Sequence, residues 1–360
     1  MMLALLSLLC LGAVRPQETV PLNGPGFQLG VVMNVDLQSE SRFIRHFEIA
    51  DGWADYIKVG TGIDQEGWKP DAGSLPLTRA KRLAQEARRR GMGMQVGLSG
   101  TPPLTDEWRA LERPGAGYRY GKYGQMPKSW WPKWVEYQRA AARAIVDVYG
   151  DEAPQKVRFE LFNEPYDRGE DPSVDEFLAY VIPKLTDRQG KVYGCPLDGP
   201  TLWGQITQIT NQVLHLSQLM KSKPEIFGRI QRIPLNVYPP YGDELTATGQ
   251  SLPQGYEGFV RQVVRSVRAE TGHEPFISEM GISRVTDVDT TLLGARTNEI
   301  AGQYLVETLQ RFRKLGIPAI TIYQSMDGSA EDARKQSYGL ADHTGRLRID
   351  TVRLKGLGSR

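Results

Sequence analysis

The sequence predicts one closed (β/α)8 barrel, the TIM-barrel architecture, over residues 26–360 of a 360-residue chain. Three observations predict it. Eight short apolar runs recur along the chain, and the first seven are each followed by loop residues and a stretch of helical period. Glycines at 91, 150, 190, 272 and 316 stand just past periodic stretches, where a helix C′ position asks for positive φ. Strands separated by helices pair in parallel through right-handed crossovers, and eight such units close a barrel. An open doubly wound sheet would require a glycine-rich phosphate turn after the first strand, and "GVVMNVDLQSESR" has none.

The units run in order along the chain. "FQLGVVMNV" precedes "SRFIRHFEIADGW", and "DYIKVG" precedes "PLTRAKRLAQEARRRG". "GMQVGLSG" is followed, after a long loop, by "WVEYQRAAARAIVDVYG". "VRFELFN" leads into "SVDEFLAYVIPKLTDRQG". "KVYGCPLDGPTLW" leads into "TQITNQVLHLSQLMK", and Pro196 makes this fifth strand the weakest of the set. "RIPLNVYP" precedes "GYEGFVRQVVRSVRAETG", and "EPFISEMG" precedes "ARTNEIAGQYLVETLQRFRKLG". "IPAITIYQSMD" is the eighth run, and the eighth helix is short or absent.

Ahead of the barrel, Leu3 to Val14 is an apolar run too short to span a bilayer. Residues 1–14 therefore read as a signal peptide and 15–25 as an N-terminal extension, which predicts a secreted or periplasmic protein with no membrane span. Removal of the signal leaves Cys195 as the sole cysteine, so no internal disulfide contributes to stability. A net charge of +2 without any basic block argues against nucleic acid as a partner. The four histidines show no metal-ligand spacing, and neither a G-x-S-x-G elbow nor a Walker loop occurs. No metal and no cofactor is expected.

In a barrel, function collects at the C-terminal tips of the strands. The fourth strand ends in Asn163 and Glu164, and Pro165 stops it because proline cannot join the ladder. The sixth ends in Asn236 and Tyr238, the seventh in Glu279, and the eighth in Tyr323, Gln324 and Asp327. Closure of a barrel brings the fourth and seventh tips across one mouth. Two carboxylates facing each other over a cleft suit glycoside hydrolysis: one protonates the leaving oxygen and the other acts at the anomeric carbon. Like charge at close range separates their proton affinities, which lets one hold a proton while the other stays ionised.

"FELFNEPYD" taken with "PFISEMGIS" resembles the retaining clan-A glycoside hydrolases, which include cellulase-like and β-xylosidase-like families. The resemblance runs from about Gly30 to about Arg348 in the order of elements. It implies Glu164 as general acid/base, Glu279 as nucleophile, Asn163 as reader of the sugar 2-hydroxyl, and Tyr238 as the tyrosine that hydrogen-bonds the nucleophile. The expected activity is hydrolysis of β-linked oligo- or polysaccharide with retention. A carbohydrate-binding barrel that has lost catalysis is the alternative. Three positions depart from the family pattern. Asn236 stands where a histidine is common, Tyr323-Gln324 where a tryptophan often lines the sugar subsite, and Lys58 lies near the place of a common arginine.

Sugars present apolar C–H faces that aromatic rings can cover. The long loop after the third strand carries many aromatics, of which Trp130 and Trp131 are the candidate platforms, while Trp134 reads as a staple for the following helix. Asn236, Tyr238, Tyr323 and Gln324 complete the expected substrate-binding set.

Overall fold

The computed structural model describes residues 26–33, 39–60, 77–98, 128–166, 171–238, 252–281, 298–327 and 339–358. The proposed signal peptide and extension, residues 1–25, lie outside them, as does most of the aromatic-rich loop after the third strand. Among the described residues, eight strands form the barrel wall. They are β1 (Gln28–Val32), β2 (Tyr56–Gly60), β3 (Gly93–Leu98), β4 (Val157–Leu161), β5 in two pieces (Cys195–Pro200 and Leu202–Trp203), β6 (Arg232–Asn236), β7 (Glu274–Met280) and β8 (Ala319–Ile322). Neighbouring wall strands pair in parallel, and β1 also pairs β8 with Gln28 opposite Ala319.

Closure rests on the fifth strand. Its first piece pairs β4, with Phe159 opposite Leu197 and Glu160 opposite Asp198. Its second piece pairs β6, with Leu202 opposite Leu235 and Trp203 opposite Asn236. The two ends of the sheet are thus halves of one bent segment, hinged at Thr201. The backbone N–H of Thr201 donates to the Phe162 carbonyl at 3.0 Å, and that of Gln231 donates to Leu197 at 2.9 Å. Pro196 does not break the strand. It sits where a short antiparallel strand, Lys191–Val192, pairs with Cys195–Pro196.

Seven long helices of the described chain cover the wall: α1 (Glu40–Ala50), α2 (Thr78–Arg89), α3 (Trp131–Tyr149), α4 (Pro172–Leu185), α5 (Ile206–Ser222), α6 (Leu252–Thr271) and α7 (Asn298–Lys314). After β8 the described chain forms only a single 3-10 turn, Thr351–Leu354, in place of an eighth helix. The start of α4 shows how sequence fixes a boundary. Asp171 caps it by accepting from the Ser173 N–H at 3.0 Å, and Pro172 opens it with a φ suited to the first turn. One glycine assignment is corrected. α4 ends at Leu185, so Gly190 belongs to the turn before β5. Its φ is +75°, and a Cβ there would meet the Arg229 carbonyl oxygen at 2.2 Å.

The core lies between wall and helices. Trp134 of α3 packs on Phe162 and Phe177, with ring centroids 5.1 and 5.3 Å away. Cys195 is buried as a small apolar side chain, and burial pushes its thiol up to about 12. No helix among the described residues is long and apolar enough to cross a membrane.

Candidate active site

The β4 tip is shaped by backbone conformation. Val157, Phe159 and Leu161 alternate into the core between wall and helices. Beyond Leu161, Phe162 and Glu164 adopt left-handed φ values of +35° and +53°, which only a few per cent of non-glycine residues do. Such residues cost of order 1–3 kcal/mol each and persist only where their surroundings over-determine them. Here Phe162 is locked by the Trp134 and Phe177 rings and by the bond from Thr201. The turn it enforces leaves Asn163 exposed and Glu164 partly exposed.

Asn236, at the end of β6, holds both. Its Nδ2 donates to Glu164 Oε1 at 2.7 Å and to Asn163 Oδ1 at 3.0 Å. Asn236 is only 1% exposed, so it reaches these groups from within the wall and fixes them rather than lining open space. In the sheet, Asn236 is the register neighbour of Glu279 on β7. The two carboxylates therefore flank a single residue of β6.

Glu279 is gripped at both oxygens. Tyr238 OH donates to Oε2 at 3.0 Å, and Lys58 Nζ donates to Oε1 at 3.0 Å. Burial, and after it the Glu279 charge, holds the Tyr238 phenol well above its usual range, so it stays a donor. Burial works against the Lys58 charge, but Glu160 and Glu279 outweigh it and raise its proton affinity, so the ammonium persists. Lys58 thus stands on β2 where the resemblance expects an arginine.

The eighth tip completes the rim. The Tyr323 N–H donates to Met280 at 2.7 Å, and the Tyr323–Gln324 peptide is cis. The Tyr323 ring meets that of Tyr238 edge-on, with centroids 6.2 Å apart and planes at 82°. Gln324 is buried, and its carbonyl accepts from Leu340 N–H at 2.9 Å.

The tryptophans divide differently from expectation. Trp131 is 4% exposed, with Phe177 and Tyr180 each 5.2 Å from its ring, so it packs into the α3–α4 layer and is no sugar platform. A ring at the first turn of α3 is drawn inward because the adjacent helix presents two aromatics to it. Trp134 is the staple the sequence suggested. Trp130 lies in the preceding 3-10 turn, and its side chain is outside the described residues.

One buried charge beside the site was not singled out by the sequence. Glu160, one place before the last residue of β4, is 1% exposed and points into the barrel interior, where it meets Lys58. Its signal was present: a glutamate and a lysine each sit inside an apolar strand, "VRFEL" and "YIKVG", where an unpaired charge is untenable. Among the described residues, no group of three or more histidine, cysteine, aspartate or glutamate side chains could hold a metal ion.

No family model and no curated protein matches this sequence. Solved structures do resemble it in fold. A GH10 endoxylanase retrieved from a sugarcane soil metagenome aligns with TM-score 0.59 at 11% identity, over 92% of this chain and 97% of its own. Fungal β-1,4-galactanase aligns with TM-score 0.59 at 11% identity, over 92% and 99%. An active-site mutant of the Rhizomucor miehei β-1,3-glucanosyltransferase, in complex with laminaritriose, aligns with TM-score 0.52 at 14% identity, over 90% and 97%. At these identities the likeness is one of architecture, and this chain shares with all three a (β/α)8 barrel spanning nearly their whole length.

Proposed function

We propose that this protein hydrolyses glycosidic bonds of a β-linked oligo- or polysaccharide by a retaining double displacement. On the strength of the apolar Leu3–Val14 leader, it does so outside the cytoplasm. Glu164 is the acid/base and Glu279 the nucleophile. The observation that carries this reading is the placement of both carboxylates around Asn236, one bound to its amide and the other beside it in the sheet. Their environments differ as the chemistry requires. Glu279 is held at one oxygen by the Lys58 ammonium and at the other by the Tyr238 phenol. Glu164 is nearer solvent and accepts from the Asn236 amide. The neighbours named for xylan-, galactan- and glucan-active proteins support this class of substrate by fold alone.

The first half-reaction has Glu279 attack the anomeric carbon while Glu164 protonates the departing oxygen. In the second, Glu164 takes a proton from water as that water displaces Glu279. Asn163, exposed at the tip and hydrogen-bonded by Asn236, is the residue that binds the sugar hydroxyl next to the reacting carbon in this reading. Tyr323 and Gln324 border the same mouth.

An activated 2-fluoro glycoside tests the assignment. Mass spectrometry of a peptide digest is expected to find a covalent sugar on Glu279, with Glu279→Gln lowering turnover by a factor of about 10^4 or more, the scale of a lost covalent nucleophile. Full hydrolysis by a Glu164→Gln, Glu279→Gln double variant would refute it. Saturable glycan binding without turnover would favour a binding barrel instead.

A further inference from the structure

Double displacement by this acid pair uses Glu279 and leaves unexplained why its ammonium partner is shared. Lys58 Nζ lies 3.0 Å from Glu279 Oε1 and 3.2 Å from Glu160 Oε1. Glu160 is built in with care. Besides the ammonium, its oxygens accept from Ser278 Oγ at 2.6 Å, Gln95 Nε2 at 2.5 Å and Thr201 Oγ1 at 2.5 Å. Four donors from four different strands or strand junctions converge on one buried carboxylate, which serves purely as an acceptor. Ser278 also accepts from Lys58 at 2.5 Å, so lysine, serine and glutamate form one closed network directly beneath the nucleophile.

We propose that Glu160 is a positioning residue that holds part of the Lys58 charge and keeps that charge compensated when Glu279 becomes an ester. The inference rests on the reading of Glu279 as nucleophile. In the free enzyme one ammonium faces two carboxylates, a net charge of −1. In the first half-reaction a Glu279 oxygen bonds to the anomeric carbon, the bond to the leaving oxygen breaks, and that oxygen takes the Glu164 proton. Glu279 is then neutral, and Lys58, 6% exposed, would be a lone buried cation without Glu160. With Glu160 the remaining pair is neutral. In the second half-reaction water bonds to the anomeric carbon, its proton returns to Glu164, and the ester electron pair returns to Glu279, which Lys58 again meets halfway.

The consequence is a tuned nucleophile. If Lys58 served Glu279 alone, Glu279 would be a weaker base in attack and a better leaving group in release. Sharing moves both in the opposite direction. Among the described residues, the charged and titratable groups around Glu279 are Lys58 from β2 and Tyr238 after β6, which touch it, with Glu160 behind Lys58 and Glu164 and Tyr323 beside Tyr238.

Lifetime of the 2-fluoroglycosyl adduct of the full chain reads this directly. In Glu160→Gln it is expected to drop roughly tenfold, because Glu279 then departs beside a buried ammonium that no other carboxylate compensates. Glu160→Asp keeps the charge and is expected to restore most of the wild-type lifetime, and it covers the case in which Glu160→Gln does not fold. An unchanged lifetime in folded Glu160→Gln, or an equal drop in Glu160→Asp, overturns the inference. Absence of any adduct on the wild-type protein instead overturns the nucleophile assignment, and the inference with it.

Discussion

A single side chain outside the acid pair can carry a pH response. His46 on α1 is fully buried, with Nδ1 2.7 Å from Ser325 Oγ and Nε2 without a hydrogen-bond partner among the described residues. Burial first, then the Arg42 charge, lowers it to about 4. The unfolded chain binds that proton near pH 6.5, so between about 6.5 and 4 the unfolded state gains protons that the native state refuses. Stability is therefore intact above about pH 7 and declines as pH falls through this window, by roughly 3 kcal/mol in total. Thermal melts from about pH 7.5 to about pH 4 are expected to show that decline, and His46→Gln is expected to flatten it. At this scale the sequence spoke unevenly. Asn163, Glu164, Asn236, Tyr238 and Glu279 stood out because polar residues at the ends of apolar runs have few bland explanations. Glu160 did not, because inside a strand the sequence does not tell which face looks into the barrel and which toward the helices. Trp131 misled for a related reason: an aromatic beside a loop looks available until the packing of the next helix is known.

Elements hold the strained tip in place. Phe162 and Glu164 take left-handed conformations that their residue types disfavour, and α3 supplies the counterweight through Trp134. Trp134→Ala removes the ring on which Phe162 rests. It is expected to cost about 3–5 kcal/mol and to lower the melting temperature by roughly 10 °C. Calorimetry measures that loss. Activity of the folded fraction at about 25 °C is also expected to fall, because a relaxed Phe162 re-aims Glu164 away from Asn236. Helices and strands were the most legible level of the sequence. Period, caps and glycines located the seven long helices, whereas Gly190 was placed at a helix end because nothing local distinguishes a C′ glycine from one in the turn a few residues later.

The whole barrel is tied below the site by a second ionic cluster. Arg158 on β4 and Arg232 at the start of β6 both reach Asp198 on β5, at 2.5 and 3.4 Å. Burial alone would raise the Asp198 carboxyl, but the two guanidiniums outweigh it and hold it below the usual range. Arg232, sharing its acid with Arg158, is lowered by its own burial. Asp198→Asn leaves two buried cations facing each other and is expected to cost about 3–5 kcal/mol, seen as a lower urea midpoint. Because this cluster joins the strands on both sides of the closure, its loss is expected to reduce cooperativity as well. Closure itself was only half legible. The eight-unit count called for it, but the bend at Thr201 comes from the geometry of two neighbours that no local pattern encodes.

That bend has a consequence for the mouth. Leu202 and Trp203 are the fifth-strand residues in register with β6, and Trp203 is the one paired with Asn236. Asn236 in turn sets Glu164 by its amide and Glu279 by its register. The seam of the cylinder and the gauge of the acid pair are therefore one mechanical part. A two-residue clasp fixes how far around the circumference the sixth strand sits, and with it the span from Glu164 to Glu279 that the proposed mechanism asks a sugar ring to bridge.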